Sequence, residues 1–332
     1  MKLYKYSLFL LAGAALFASC DDKEATQPTA AISVDKYVYD VNESMTLRFI
    51  GSADNVVVYP GDEDQDYELR DQSNTGLVVN KGLLTYAYQK PGIYHVVCVA
   101  TNHEDAGKSF LQDTTSVWIK VIDEVVDIDK LSATAVIYDE VYADQINDTD
   151  WMLPIPRKLR YNKKDVTVNL KKQKLGFYIE SSTTTVETRD LDDETSEYGL
   201  HNSSKYYDLE KNLHIRTTSS SGMTREYNLF TLNYGEFKTI SIGGVTGKLE
   251  RTEYDYSYYW VDAELPADGV RTALPVEFTL YDPETEKVYV GDKEVNSGDV
   301  FDFTEPVTFR FVVTEPGREH IKVESTCVVT VN

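Results

Sequence analysis

Thr85-Tyr86-Ala87-Tyr88-Gln89-Lys90-Pro91-Gly92-Ile93-Tyr94-His95-Val96-Val97 reads as two β-strands meeting at a turn. Pro91-Gly92 sits between them, where proline fixes φ and glycine permits the turn. Past the turn, Ile93, His95, Val97 and Val99 alternate with Tyr94, Val96, Cys98 and Ala100, so both faces of the strand are largely apolar. A strand of that kind belongs in the middle of a covered sheet. Outward from it, segments 33–39, 45–50, 55–59, 83–89, 92–101 and 116–122 show the same short alternating runs, at the spacing of a sandwich.

The pattern persists from Ala31 to the end: apolar and polar residues alternate between Gly, Pro, Asn and Asp breaks, with no long helical period. The fold class is therefore all-β. A chain of 332 residues exceeds what one hydrophobic core organises. A repeat divides the remainder. Leu153-Pro154 is followed at 203–216 by a run containing Tyr207-Asp208-Leu209 and ending His214-Ile215-Arg216, and Leu265-Pro266 is followed at 297–310 by one containing Phe301-Asp302-Phe303 and ending Thr308-Phe309-Arg310. In each copy a strand, a glycine turn (Gly222, Gly317) and a closing strand come next, the mark of duplicated domains. Boundaries near Glu124 and Lys238 give sandwiches over 31–123, 124–237 and 238–332. The acidic stretch 187–195 in the middle copy is expected to be a mobile loop.

Lys2 and Lys5, an apolar run over 8–17 and the small pair Ala18-Ser19 before Cys20 have the layout of an export signal. The run is shorter than the roughly 20 residues needed to span a bilayer. Phe17-Ala18-Ser19-Cys20 resembles the bacterial lipobox, which implies removal of 1–19, acylation of Cys20 and a lipidated tether over 20–30. Several acyl chains hold a protein to a membrane stably where one does not. The acidic Asp21-Asp22-Lys23-Glu24 that follows resembles the surface-export signal of Bacteroidetes lipoproteins, implying display on the outer membrane facing the exterior.

Two further resemblances bear on the body of the chain. The 85–97 stretch, with Ala100-Thr101-Asn102 and the earlier Val57-Val58-Tyr59-Pro60-Gly61-Asp62, resembles PKD domains, which are immunoglobulin-like sandwiches; it departs from their common Trp-x-Phe-Gly-Asp-Gly form. The repeated pair resembles immunoglobulin-like repeat domains of Bacteroidetes surface lipoproteins. Together they imply tandem immunoglobulin-like sandwiches behind a lipoprotein signal peptide, similar to accessory proteins of polysaccharide-utilisation systems. The implied partner is a glycan, or, as the alternative, another protein engaged in adhesion through a sheet edge or loops.

The formal charge of −22, from 33 Lys+Arg against 55 Asp+Glu, opposes nucleic acid binding. Cys98 and Cys327 fall in different domains and read as small buried residues, not a disulfide. None of the five histidines lies in a catalytic motif, and no Gly-x-Ser-x-Gly or His-Glu-x-x-His occurs, so no catalysis is expected and no cofactor is implied. Asp62, Asp64 and Asp66 alternate in an acidic loop and are the candidates for Ca²⁺, read against a solvated loop. In Glu253-Tyr254-Asp255-Tyr256-Ser257-Tyr258-Tyr259-Trp260-Val261 the period of two puts Tyr254, Tyr256, Tyr258 and Trp260 on one strand face. The plain reading buries that face; the sharper one makes it a platform for sugar rings. Trp151, after the polar 147–150, reads as a loop-tip ligand contact, and Trp118 as core. Replacing Cys20 with Ala is expected to release the protein from the membrane fraction, which fractionation and immunoblotting would check.

Overall fold

The computed structural model describes residues 26–332, apart from 73–75, 105–108, 137–138, 254 and 268. Residues 1–19, Cys20 and Tyr254 lie outside the described residues. No helix among the described residues is long and apolar enough to cross a membrane. The chain divides into two compact units, Met1–Glu124 and Val125–Asn332.

The first unit is one sandwich. A three-stranded sheet of Ile32–Val34, Ser44–Phe49 and Leu83–Ala87 faces a five-stranded sheet in the order Val38–Asp40, Ser109–Ile122, Gly92–Glu104, Asn55–Tyr59, Leu77–Val78. Gly92–Glu104 is central, as its two apolar faces required. Tyr39, Met45, Leu47, Val58, Tyr88, Val96, Cys98 and Ile119 fill the core. The segment 33–39 is not one strand, because the chain switches sheets within it. Asp35 holds the corner, accepting from the Tyr39 hydroxyl at 2.6 Å and the Thr46 amide at 3.0 Å, and these bonds hold its carboxyl below the usual range. Beyond the corner, Val38–Asp40 pairs parallel to the end of Ser109–Ile122, with Val38 opposite Lys120.

The second unit holds two sandwiches with the same strand order. In the earlier one the large sheet runs Asp144–Gln145, Asp150–Ile155, Thr224–Asn233, Leu213–Thr218, Thr185–Asp190, Gly199–Leu200; in the later one it runs Lys248–Arg251, Tyr258–Ala263, Arg318–Val331, Val307–Glu315, Glu286–Val290, Lys293–Glu294. In both, the second strand of the row lies parallel to the closing strand, Asp150 opposite Asn228 and Tyr258 opposite Thr326. The repeated blocks from 203 and from 297 onward thus correspond to repeated topology, whereas the Leu-Pro pairs do not match, Leu153-Pro154 lying inside Asp150–Ile155 and Leu265-Pro266 beyond the end of Tyr258–Ala263; the body of the protein is a tandem of immunoglobulin-like β-sandwiches. The acidic stretch 187–195 is only partly a loop. Its first residues belong to Thr185–Asp190, which pairs along its whole length with Leu213–Thr218, because Val186 and Thr188 alternate inward beneath charged outer residues.

Met152, Phe230 and Leu232 of the earlier sandwich share a buried cluster with Val313, Ile321 and Val323 of the later one. Charge surrounds this contact. Arg157 pairs with Glu286, whose side chain is fully buried, and Arg251 bridges Asp165 and Glu236. Burial pushes the Glu286 carboxyl up while Arg157 pulls it down, leaving it above its ordinary value. Gly235 sits where the two sandwiches meet: its carbonyl accepts from Ser325 Oγ at 2.6 Å and the Tyr259 hydroxyl at 3.3 Å, and a Cβ there would lie 2.6 Å from that of Phe311. Removing one member of a buried ion pair strands its partner's charge. Glu286→Ala is therefore expected to destabilise the second unit by about 3 kcal/mol or more, whereas Lys287→Ala, at an exposed neighbour, leaves the urea midpoint almost unchanged.

Candidate functional site

The aromatic run at 254–260 divides at Tyr258. Residues 255–257 form a turn in which the Asp255 carboxylate accepts from the Ser257 amide at 3.0 Å and hydroxyl at 2.7 Å, and the strand Tyr258–Ala263 starts only afterwards. Its inward positions are Tyr259, Val261 and Ala263, all buried in the core of the later sandwich. Tyr258 and Trp260 therefore point outward, Tyr258 37% exposed and Trp260 partly so. This reverses the plain reading, in which their side of the strand was core. Tyr259, the neighbour of opposite phase, is the core aromatic, and complete burial holds its hydroxyl well above the ordinary tyrosine value. Tyr256 does not share the strand face: it belongs to the turn and packs partly against the core of the earlier sandwich.

Register extends the outward face across the sheet. Tyr258 stands opposite Thr326, Thr326 opposite Arg310, and Arg310 opposite Tyr289. With strands about 4.8 Å apart, this row carries Tyr258 and Tyr289 roughly 14 Å from one another. In the next row Trp260 lies between Glu250 and Val328. The Arg310 guanidinium sits 4.8 Å from the centre of the Tyr289 ring and 3.3 Å from the Glu324 carboxylate, so it is held in place. The face thus combines three aromatic rings with acidic, basic and hydroxyl groups on rigid strands. Tyr289 and Arg310 escaped the sequence reading because one strand's spacing says nothing about which residue of a distant strand lies beside it.

The other candidates fall elsewhere. Trp151 is not at a loop tip: it lies in Asp150–Ile155, 3% exposed, within the core of the earlier sandwich. The duplication explains this. Trp151 faces Leu229 two residues beyond the Ile215–Tyr227 pair, and Val261 faces Val329 two residues beyond the Phe309–Cys327 pair, so Trp151 occupies the buried position that Val261 holds in the later copy. Trp118, read as core, is instead 60% exposed on the outer face of the five-stranded sheet, stacked on His95 with ring centres 4.3 Å apart. Cys98 and Cys327 are both free and buried.

Asp62, Asp64 and Asp66 do not converge on one point. The Tyr86 hydroxyl donates to Asp62, the Asp66 carboxylate caps a short turn through the Glu68 amide at 2.9 Å, and Asp64 is exposed. Among the described residues no group of three His, Cys, Asp or Glu is arranged to hold a metal ion. The loop's geometry is spent on the turn and on Tyr86, not on a shared centre.

Residues 19–83 match a family described as a domain of unknown function, DUF5017. No curated protein matches the chain. Among solved structures, a carbohydrate-binding module from the β-sandwich superfamily is 10% identical, covering 62% of this chain and 85% of its own, with a TM-score of 0.24. An I-band fragment of titin is 12% identical over 92% of this chain and 99% of its own, with a TM-score of 0.23. Human CDH23 EC21-23 is 10% identical over 92% and 100%, with a TM-score of 0.22. Scores this low carry no inference about ligand; the fold class rests on strand order and register.

The three tryptophans differ enough in exposure to be told apart in solution. In variants retaining one tryptophan each, acrylamide quenching of fluorescence is expected to be strongest for Trp118, intermediate for Trp260 and weakest for Trp151. Trp151→Ala should cost about 3–5 kcal/mol in a denaturant melt, as for other buried aromatic truncations.

Proposed function

We propose that this protein is a non-catalytic, lipid-tethered surface protein that binds glycan through the outward face of its last sandwich. The observation that carries the reading is the outward phase of Tyr258 and Trp260 beside Glu250, in register with Arg310 and Tyr289. Sugar rings present apolar C–H faces that stack on aromatic rings and hydroxyls that pair with carboxylates and guanidinium groups. Each aromatic contact contributes about 0.5–1.5 kcal/mol. Two or three of them with hydrogen bonds give micromolar to millimolar dissociation constants, the range suited to reversible capture by a tethered protein.

Capture of a protein strand at a sheet edge is the less favoured reading. The outer strands of this sheet, Lys248–Arg251 and Lys293–Glu294, are short and carry charged residues, a composition that resists pairing with another chain. The lipobox-like Phe17-Ala18-Ser19-Cys20 and the acidic residues after it support outer-membrane display, and the resemblance of the repeats to accessory proteins of polysaccharide-uptake systems supports a glycan in that setting. A glycan array probed with the chain from residue 21 onward is the test. Retention of a glycan that drops about tenfold in Trp260→Ala and falls also in Tyr258→Ala is the expected result. Unaltered retention in both variants, or none at all by the unmodified chain, removes the reading.

A further inference from the structure

A second cleft lies in the earlier sandwich of the same unit, on residues the outward face of the later sandwich does not use. The short strand Gly199–Leu200 delivers His201 to an open cavity of about 350 Å³ beside Lys174–Tyr178, an edge strand of the smaller sheet. Two separate hydrogen-bonded groups stand beside His201. Lys205 Nζ donates to Thr188 Oγ1 and to the Gly199 carbonyl, both at 3.1 Å. The Tyr207 hydroxyl, which burial keeps protonated by pushing its pKa up to about 12, lies 2.8 Å from His201 Nδ1 and is assigned the donor role in that pair. An imidazole that accepts at Nδ1 carries its proton on Nε2. Burial and the nearby Lys205 both depress the His201 pKa, which favours the neutral ring. Thr188 and Tyr207 are buried, and a buried polar group costs free energy unless it is hydrogen-bonded, which Lys205 provides for Thr188 and His201 for Tyr207.

On the same cavity wall a carboxylate is fixed just as firmly. Gly176 leaves the middle of the edge strand bare: a Cβ there would lie 2.7 Å from Ser132 Oγ and 3.7 Å from Glu140 Oε1. Over that gap Glu140 accepts from Ser132 at 2.6 Å and from Tyr178 at 2.7 Å through Oε1, and from Tyr142 at 2.7 Å through Oε2. Those hydroxyls, Ser132 first, hold its carboxyl below the usual range. A carboxylate accepts about four hydrogen bonds, two on each oxygen, so Oε2 retains one acceptor position. The Phe177 ring meets the His201 ring edge-on at 4.7 Å and supplies the apolar part of the wall.

We infer that this cleft binds a neutral sugar ring, one hydroxyl accepting from His201 Nε2–H, a second donating to Glu140 Oε2, and the C–H face resting on Phe177. A fixed donor and a fixed acceptor beside an aromatic ring match a polyhydroxylated ring. An anionic ligand is disfavoured by Glu140 and by the net charge of −22. The ligand class is that of the proposed function, but the residues are different, so either site can fail while the other stands.

The test follows the NMR resonances of the His201 ring, assigned through His201→Gln, and of the Trp260 indole while the whole chain is titrated with methyl glycosides of glucose, galactose, mannose and N-acetylglucosamine. The expected result is a saturable His201 shift with a millimolar midpoint for at least one glycoside, weakened about tenfold in Glu140→Gln and in Phe177→Ala, and unchanged in Trp260→Ala. Tyr207→Phe, which removes the hydroxyl facing His201 Nδ1 and leaves the aromatic ring, should weaken it as well while the circular dichroism spectrum stays the same. No His201 shift with any glycoside, or a shift indifferent to Glu140→Gln and Phe177→Ala, overturns the inference. So does tighter binding of methyl glucuronide than of every neutral glycoside. A Trp260 indole that responds alone supports the sheet face and sinks the cleft.

Discussion

Each sandwich is closed by a parallel pairing between an early strand and its last strand: Val38–Asp40 on Ser109–Ile122, Asp150–Ile155 on Thr224–Asn233, and Tyr258–Ala263 on Arg318–Val331. Parallel neighbours cannot be joined by a tight hairpin, so these contacts link residues far apart in sequence. The rest of the sheet is then built from antiparallel pairs against a strand already pinned on its other side. The same pairing fixes which side of the early strand faces inward, and so it determines that Trp151 is core and Trp260 is surface.

Fixing the phase in this way makes the functional proposals geometric. Tyr258 and Trp260 are outward because Tyr259 and Val261 take the inward positions opposite Cys327 and Val329, both buried. The neighbours that give the face its polar character come from strands remote in sequence, Glu286–Val290 and Val307–Glu315. At His201 the same logic operates through Thr188, which the strand Thr185–Asp190 turns inward, where it accepts from Lys205. Tyr207 itself belongs to the Tyr-Asp-Leu block of the repeat.

Much of the architecture was legible in the sequence because it depends on local signals. The Pro91 break before Gly92–Glu104, the two apolar faces of that strand and the blocks from 203 and from 297 each report directly on boundary, centre and repeat, although the break is a crossing between sheets with Gly92 already in the strand. What failed depends on phase and on partners. Alternation gave the period of the 254–260 run but not where the strand begins, and the three residues before Tyr258 are a turn, so the inward side could not be read. Trp118 looked like core because large aromatics in strands usually are; it is exposed because Ile119 and Val121, one step out of phase, fill the interior. Trp151 looked like a loop residue because its polar lead-in, Asn147 to Asp150, is a tight turn held by the Asn147 side chain directly before the strand. The sheet switch at Asp35 was illegible because the break is made by side-chain hydrogen bonds, without a glycine or proline to mark it.

The contact through Met152, Phe230, Leu232, Val313, Ile321 and Val323 bears on how the protein comes apart. If either sandwich of the second unit opens, the other is left with a bared apolar patch and with charges, at Arg157 or Glu286, stripped of their counterparts. Opening one sandwich therefore also costs the contact it shares with the other, which couples the two repeats beyond a pair of independent beads. A protease meeting the native protein finds fewer half-open intermediates of this unit to cut than two unlinked sandwiches would offer.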